Sequence, residues 1–133
     1  MSPNVIPDIV FGTGLLLDLL VPACPPPWPL VIFVHGGGWS GGSRRIAPAN
    51  EPLGFITKLG IAVASIDYRL SHQAVFPAQL DDLRAALAWI ATEGQARGID
   101  PHRVALLGFS AGGRLAPWAV AARCHAAPGV PAA

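Results

Sequence analysis

Three stretches of the chain are almost continuously apolar and rich in Val and Ile: PLVIFVHGG (29–37), IAVASIDY (61–68) and RVALLGFS (103–110). Unbroken apolar runs of this length suit strands buried on both faces, as in a parallel sheet covered by helices; a half-exposed strand would alternate. Each run is followed by a stretch that can be helical, so the expected order is βαβαβα, an α/β fold. Upstream, VIPDIVFG and LLLDLLVP within residues 5–22 read as two short strands joined at Gly12-Thr13-Gly14. PACPPPWP (22–29) has few backbone donors to offer a sheet and should form a stiff surface connector.

The best helical pattern is PAQLDDLRAALAWIATEGQAR, residues 77–97. Leu80, Leu83, Leu87 and Ile90 fall on one stripe, Pro77 suits the first turn, and Asp81, Asp82 and Arg97 suit the helix dipole. Gly98 is the expected residue just past the helix end, and Asp100-Pro101 should turn the chain into the next strand. A shorter helix is expected from Asn50, a good N-cap, to Leu59, with Gly60 ending it.

The chemistry-bearing segments sit at the ends of two of the apolar runs. Gly108-Phe109-Ser110-Ala111-Gly112 matches the G-x-S-x-G nucleophile elbow. In that motif a serine stands on a sharp strand-to-helix corner, the flanking glycines let strand and helix pass closely, and the N–H after the serine faces developing negative charge. Read alone, the five residues also fit a glycine-rich turn with an incidental serine. HGGGWSGGS (35–43) follows the first long strand directly. Its glycines can bend backbone N–H groups toward a ligand, and an HGGG loop forms the other half of an oxyanion hole in esterases and lipases. Gly37 and Gly38 would supply two donors and Ala111 a third; losing one such donor costs about 3–4 kcal/mol of transition-state stabilisation. A phosphate cradle would want a G-K-[ST] ending, which is absent.

Together HGGGW, IDYRLS, FPAQLDDLRAALAWI and GIDPHRVALLGFSAGG resemble the α/β-hydrolase family. The nearer resemblance is to the HGGG-bearing esterases, which include hormone-sensitive-lipase-like and feruloyl-esterase-like (BD-FAE) groups. The resemblance is strongest over residues 5–115. It implies a mostly parallel sheet flanked by helices, and a Ser–His–acid hydrolase of small-molecule esters. Ser110 would be the nucleophile, and Gly37, Gly38 and Ala111 the oxyanion hole. It also makes His35 a loop-structuring residue. Asp67 and Arg69, at the DYR strand end, read as a structural ion pair or loop anchor rather than as catalytic groups.

In this family the acid and then the histidine follow the serine in the chain. After Ser110 the sequence has one histidine, His125, and no Asp or Glu. His72 and His102 are expected in exposed loops. Pro117 falls inside the helix expected after the elbow, and residues 116–133 contain eight Ala and three Pro. Such an ending is what a truncated or frame-shifted hydrolase domain would show, with residues 1–133 as its N-terminal part, cut after the nucleophile-elbow helix. The expected activity of these residues alone is weak or nil. The rival reading is a non-catalytic hydrolase-fold segment that associates with itself or with a complementing segment through an open apolar sheet edge.

Composition narrows the partners. Over half of the residues are hydrophobic (52%) and only 13% are charged, which allows a substantial core. A net charge of +1 creates no field that would attract nucleic acid. GLLLDLLVPA is too short for a membrane span and follows no basic region, so a cytoplasmic location is expected. Cys24 and Cys124 lie in no metal-ligand spacing and read as free thiols; no metal or cofactor is expected.

Overall fold

The computed structural model describes residues 4–35, 43–44, 51–70, 73–74 and 77–108. They form one five-stranded sheet, in the order β1-β2-β4-β3-β5. The strands are β1 (Asn4–Gly12), β2 (Leu15–Val21), β3 (Trp28–Val34), β4 (Ala62–Ile66) and β5 (Ile99–Gly108). The helices are α1 (Glu51–Lys58) and α2 (Ala78–Glu93). β3 pairs in parallel with both β4 and β5, whereas β2 runs antiparallel to β1 and β4. Four of the five strands therefore point the same way, and β2 is the reversed one.

The central strands are buried on both faces, as their unbroken apolar sequences require. Leu30, Ile32 and Val34 join Leu17, Leu19, Ala64 and Ile66 on one face, where Leu83, Ala86 and Ile90 of α2 complete the larger core. The alternate residues Leu20, Phe33 and Val63 meet Leu53 of α1 in a smaller core on the other face. Full burial of one such Leu or Phe stabilises the fold by about 1.5–3 kcal/mol. The small core is polar beside its apolar cluster: Asp18 and Ser65, in step with Leu20 and Val63, are also buried.

β1 is an edge strand with Ile9 and Phe11 turned inward and Val10 outward. Its register slips between Ile6 and Ile9, so that Pro7 and Asp8 stand opposite the single residue Asp18. Asp8 takes a left-handed backbone (φ 61°) in this bulge, and its N–H donates to Asp18 Oδ1 at 3.0 Å. A non-glycine residue with this φ is held there by its surroundings, and Asp tolerates it better than most.

The expected helix over 77–97 is shorter in the structure. α2 ends at Glu93, the chain turns at Gly94, and Gln95–Arg97 form a 3₁₀ turn. Gly98 then adopts φ 85° and ends the turn as expected. A side chain there would also lie 2.8 Å from the Trp28 ring. The buried face of α2 is Gln79, Asp82, Leu83, Ala86 and Ile90, with Leu80 and Leu87 at its margin. The stripe is displaced because two polar residues on the inner side have partners there. β5 begins at Ile99, four residues earlier than the apolar run suggests. The Asp100-Pro101 turn is a local irregularity inside the strand, where Asp100 accepts from the His102 N–H at 2.9 Å and from Arg103 Nε at 2.8 Å. His102 is thus an exposed strand residue rather than a loop residue.

The proline connector is exposed over residues 23–27, and Cys24 is a free, exposed thiol. Gly60, at φ 84°, follows α1 as expected. The Asn50 cap, Cys124, the helix after the elbow and residues 116–133 lie outside the described residues.

Candidate active site

The C-terminal ends of β3, β4 and β5 converge, which is where open α/β sheets place their ligands. Val34 closes β3 and is the Cα partner of both Ile66 on β4 and Gly108 on β5. Gly108 is the first residue of the G-F-S-A-G motif, and Val34 is the residue just before HGGG. The parallel register therefore sets the two motifs side by side, one interstrand spacing of about 4.8 Å apart at their starting points. Ser110, Gly37, Gly38 and Ala111 themselves lie outside the described residues, as do His72 and His125.

His35 is buried, and its ring stacks on Tyr68 with centroids 4.4 Å apart and planes at 18°. The Tyr68 hydroxyl donates to the His35 carbonyl at 2.7 Å. Burial pushes the Tyr68 phenol up to about 12.

On the other side of residues 36–42, Arg44 is the hub of a charged cluster. Its backbone N–H donates to Asp67 Oδ1 at 2.9 Å, and its guanidinium also reaches Asp67 Oδ2. Arg44 Nε meets Asp18 Oδ1 at 3.0 Å, and Nη2 meets Asp8. Ser65 Oγ donates to the Arg44 carbonyl at 2.7 Å. Burial opposes the Arg44 charge, but hydrogen bonds to Asp8 and Asp18 and the charge of Asp67 outweigh it, so the guanidinium titrates above its ordinary range. The bulge in β1 and the acid in β2 thus serve one cation.

Asp67 and Arg69 are not partners of each other. Asp67 binds Arg44, and Arg69 binds Asp82 of α2, with Nη2 to Oδ1 at 2.8 Å. The Arg69 N–H also donates to Asp82 Oδ2 at 2.7 Å, and the hydrogen bond to Asp82 raises the Arg69 pKa. Gln79 Nε2 donates to the Ala74 carbonyl, while its Oε1 is buried without a partner.

Asp67, Tyr68 and Arg69 help to wall a cleft of about 220 Å³, lined also by His35, Ser43, Leu70 and Gln73 among others. A shallower depression of about 500 Å³ lies at the opposite end of the sheet, between the proline connector and the start of β5. It touches neither motif. Among the described residues no cluster of three or more His, Cys, Asp or Glu is disposed to hold a metal ion. None of the described helices is long and apolar enough to cross a membrane.

The sequence pattern alone did not reveal Arg44, Asp18 or Asp8 as partners. One clue was available: Asp8, Asp18 and Asp67 each interrupt or end an apolar strand, and an acid buried in such a strand requires a cation or several donors.

Comparison with known proteins agrees with this architecture. The BD-FAE family model matches residues 17–125. Carboxylesterase NlhH of Mycobacterium tuberculosis is 34% identical over 125 residues, covering 85% of this chain and 38% of that protein. Among solved structures, a bacterial heroin esterase superposes with a TM-score of 0.79 at 30% identity, covering 95% of this chain and 41% of its own. Esterase LipW of Mycobacterium marinum gives 0.81 at 29% identity, covering 93% and 40%. The chain thus spans about two-fifths of the length of these relatives. The match over most of its residues, and the strand order that carries both motifs, assign it: the chain belongs to the BD-FAE family of α/β-hydrolase esterases.

Proposed function

We propose that residues 1–133 carry the nucleophile and the oxyanion-binding part of a serine carboxylic-ester hydrolase acting on small-molecule esters. Ser110 attacks the ester carbonyl. The N–H groups of Gly37, Gly38 and Ala111 hold the oxyanion of the tetrahedral intermediate, the alcohol leaves, and water releases the acyl group from Ser110. The observation that carries this reading is the Val34–Gly108 register, which supports bringing the HGGG and G-F-S-A-G segments to one point at the mouth of the sheet.

The activated serine needs a base and an orienting acid, and the family order puts both after the nucleophile. Residues 111–133 contain His125 and no acid. We read residues 1–133 as a partial hydrolase domain with low turnover by themselves. In a serine protease, losing the triad costs about 10⁶ in kcat and leaves roughly 10³–10⁴ over water. Nitrophenyl acetate hydrolysis by the chain and by Ser110→Ala tests both parts. A small Ser110-dependent rate is expected. Full esterase rates would refute the absence of a base, and identical rates in the two proteins would refute the nucleophile.

A second reading is favoured by β5, which ends the sheet among the described residues and carries the partly buried Val104, Leu106 and Leu107. Such a strand can associate with a second copy or a complementing segment. Light scattering at rising concentration would show growth in mass; a constant monomer mass would count against self-association.

A further inference from the structure

Residues 36–42 contain five glycines in seven positions. Each glycine has the widest choice of φ and ψ, and Trp39 and Ser40 are the segment's non-glycine residues. Donors aimed at an oxyanion must nevertheless be held in place before the reaction. The two residues that bracket the segment, His35 and Arg44, are both tied to the same dipeptide.

Val34 and Ile66 are paired, so the residues after β3 and after β4 emerge next to each other. At the entry, Tyr68 stacks on the His35 ring and donates its hydroxyl to the His35 carbonyl. At the exit, Asp67 accepts from the Arg44 backbone N–H and from its guanidinium. That guanidinium continues to the buried Asp18 in β2 and to Asp8 in the β1 bulge, so the exit is fixed to the sheet. We infer that Asp67 and Tyr68 act together as a clamp that sets the geometry of residues 36–42, and that both are positioning residues for the reaction. The inference rests on the reading of Gly37 and Gly38 as oxyanion donors, but the clamp is measurable apart from it.

Tyr68→Phe keeps the ring and removes one hydroxyl. Asp67→Asn keeps the shape and removes the charge, and it stands in should the tyrosine variant fail to fold. Trp28→Phe, at the opposite end of β3, is the control for general loosening. Amide hydrogen exchange over residues 36–42 is read together with the rate at which a nitrophenyl phosphonate modifies Ser110. Each clamp variant should speed exchange in this segment about tenfold or more, while α2 and β2 keep their protection. Phosphonylation should slow by about 10- to 100-fold, with little change in half-saturating reagent concentration. The double variant should add less than the sum, because both contacts pin one segment. Unchanged exchange over 36–42, or a rise spread evenly through the sheet as in the control, would overturn the clamp. Faster local exchange with unaltered phosphonylation would leave the clamp standing and overturn the oxyanion role of the segment.

Discussion

Arg44 Nε and Asp18 Oδ1 lie 3.0 Å apart, on the sheet face that carries the smaller core, with the Asp18 side chain 1% exposed. Removing one member of a buried ion pair costs about 3–5 kcal/mol, because the remaining charge has lost its compensation. Arg44→Met should destabilise the chain by an amount of that order, read as a lower urea midpoint. Arg44→Lys should fall between the two, since an ammonium lacks the planar fork that spans three carboxylates. If Arg44→Met unfolds at the wild-type midpoint, the cluster is not what secures β1 and β2.

Tyr68 gives a stability change at high pH. Its phenol titrates near 12 in the folded chain because burial disfavours the phenolate, whereas an unfolded Tyr titrates near 10. The folded state therefore holds its proton longer. The contribution is complete below about pH 10 and is lost as pH rises toward 12, by about 2–3 kcal/mol in all. The chain contains a single tyrosine, so tyrosinate absorbance follows this group directly. The thermal midpoint should drop between pH 10 and 12, and Tyr68→Phe should drop less. Equal drops would mean that other groups dominate.

Gly98 is constrained twice. Its φ of 85° disfavours any side chain, and a Cβ there would sit 2.8 Å from Trp28 Cζ3 and 3.0 Å from Pro26 Cβ. The strain of the left-handed backbone alone is about 1–2 kcal/mol. Gly98→Ala should lower the unfolding midpoint by at least that equivalent and alter the tryptophan emission. A midpoint equal to wild type would show that the turn between α2 and β5 can relax.

Asp82 holds the backbone after β4. It is 2% exposed and accepts from both the Arg69 N–H and the Arg69 guanidinium. Hydrogen bonds to a charged partner contribute about 1.5–3 kcal/mol. Asp82→Ala should destabilise by that order and speed amide exchange at Arg69 and Leu70, which line the cleft. Asp81→Ala, one position away on the exposed side, should do neither.

The positions of the elements were legible because they follow from apolar pattern. The three long runs became β3, β4 and β5, and the glycines at 60 and 98 ended their elements. What the pattern could not show was how polar residues enter the core. Gln79 and Asp82 lie on the inner face of α2 because Ala74 and Arg69 wait there, and a count of apolar positions is blind to such partners. Asp18 looked like an interruption in LLLDLLV, whereas it is as buried as its neighbours. Nothing local marks Arg44 as a hub; its role comes from three acids distant in sequence. The motifs were legible as strings, and their adjacency follows from a register between strands that no single segment encodes.

The sheet order also carries a kinetic consequence. β3 lies between β4 and β5, yet both neighbours are synthesised after it, and β5 emerges only after α1, β4 and α2. At ribosomal rates of about 5–20 residues per second, the apolar strand WPLVIFV spends seconds with an unpaired edge. Pairing this distant is slow, because the loop-closure entropy must be met before the contacts form. The β1–β2 hairpin, whose strands are joined by a short turn, can form at once and give the reversed strand on which β4 later docks. The sheet should therefore grow from its β1–β2 side inward. Ribosome-held chains ending after α2 should show native protection in β1 and β2 but leave the β5 side of β3 open to chaperones.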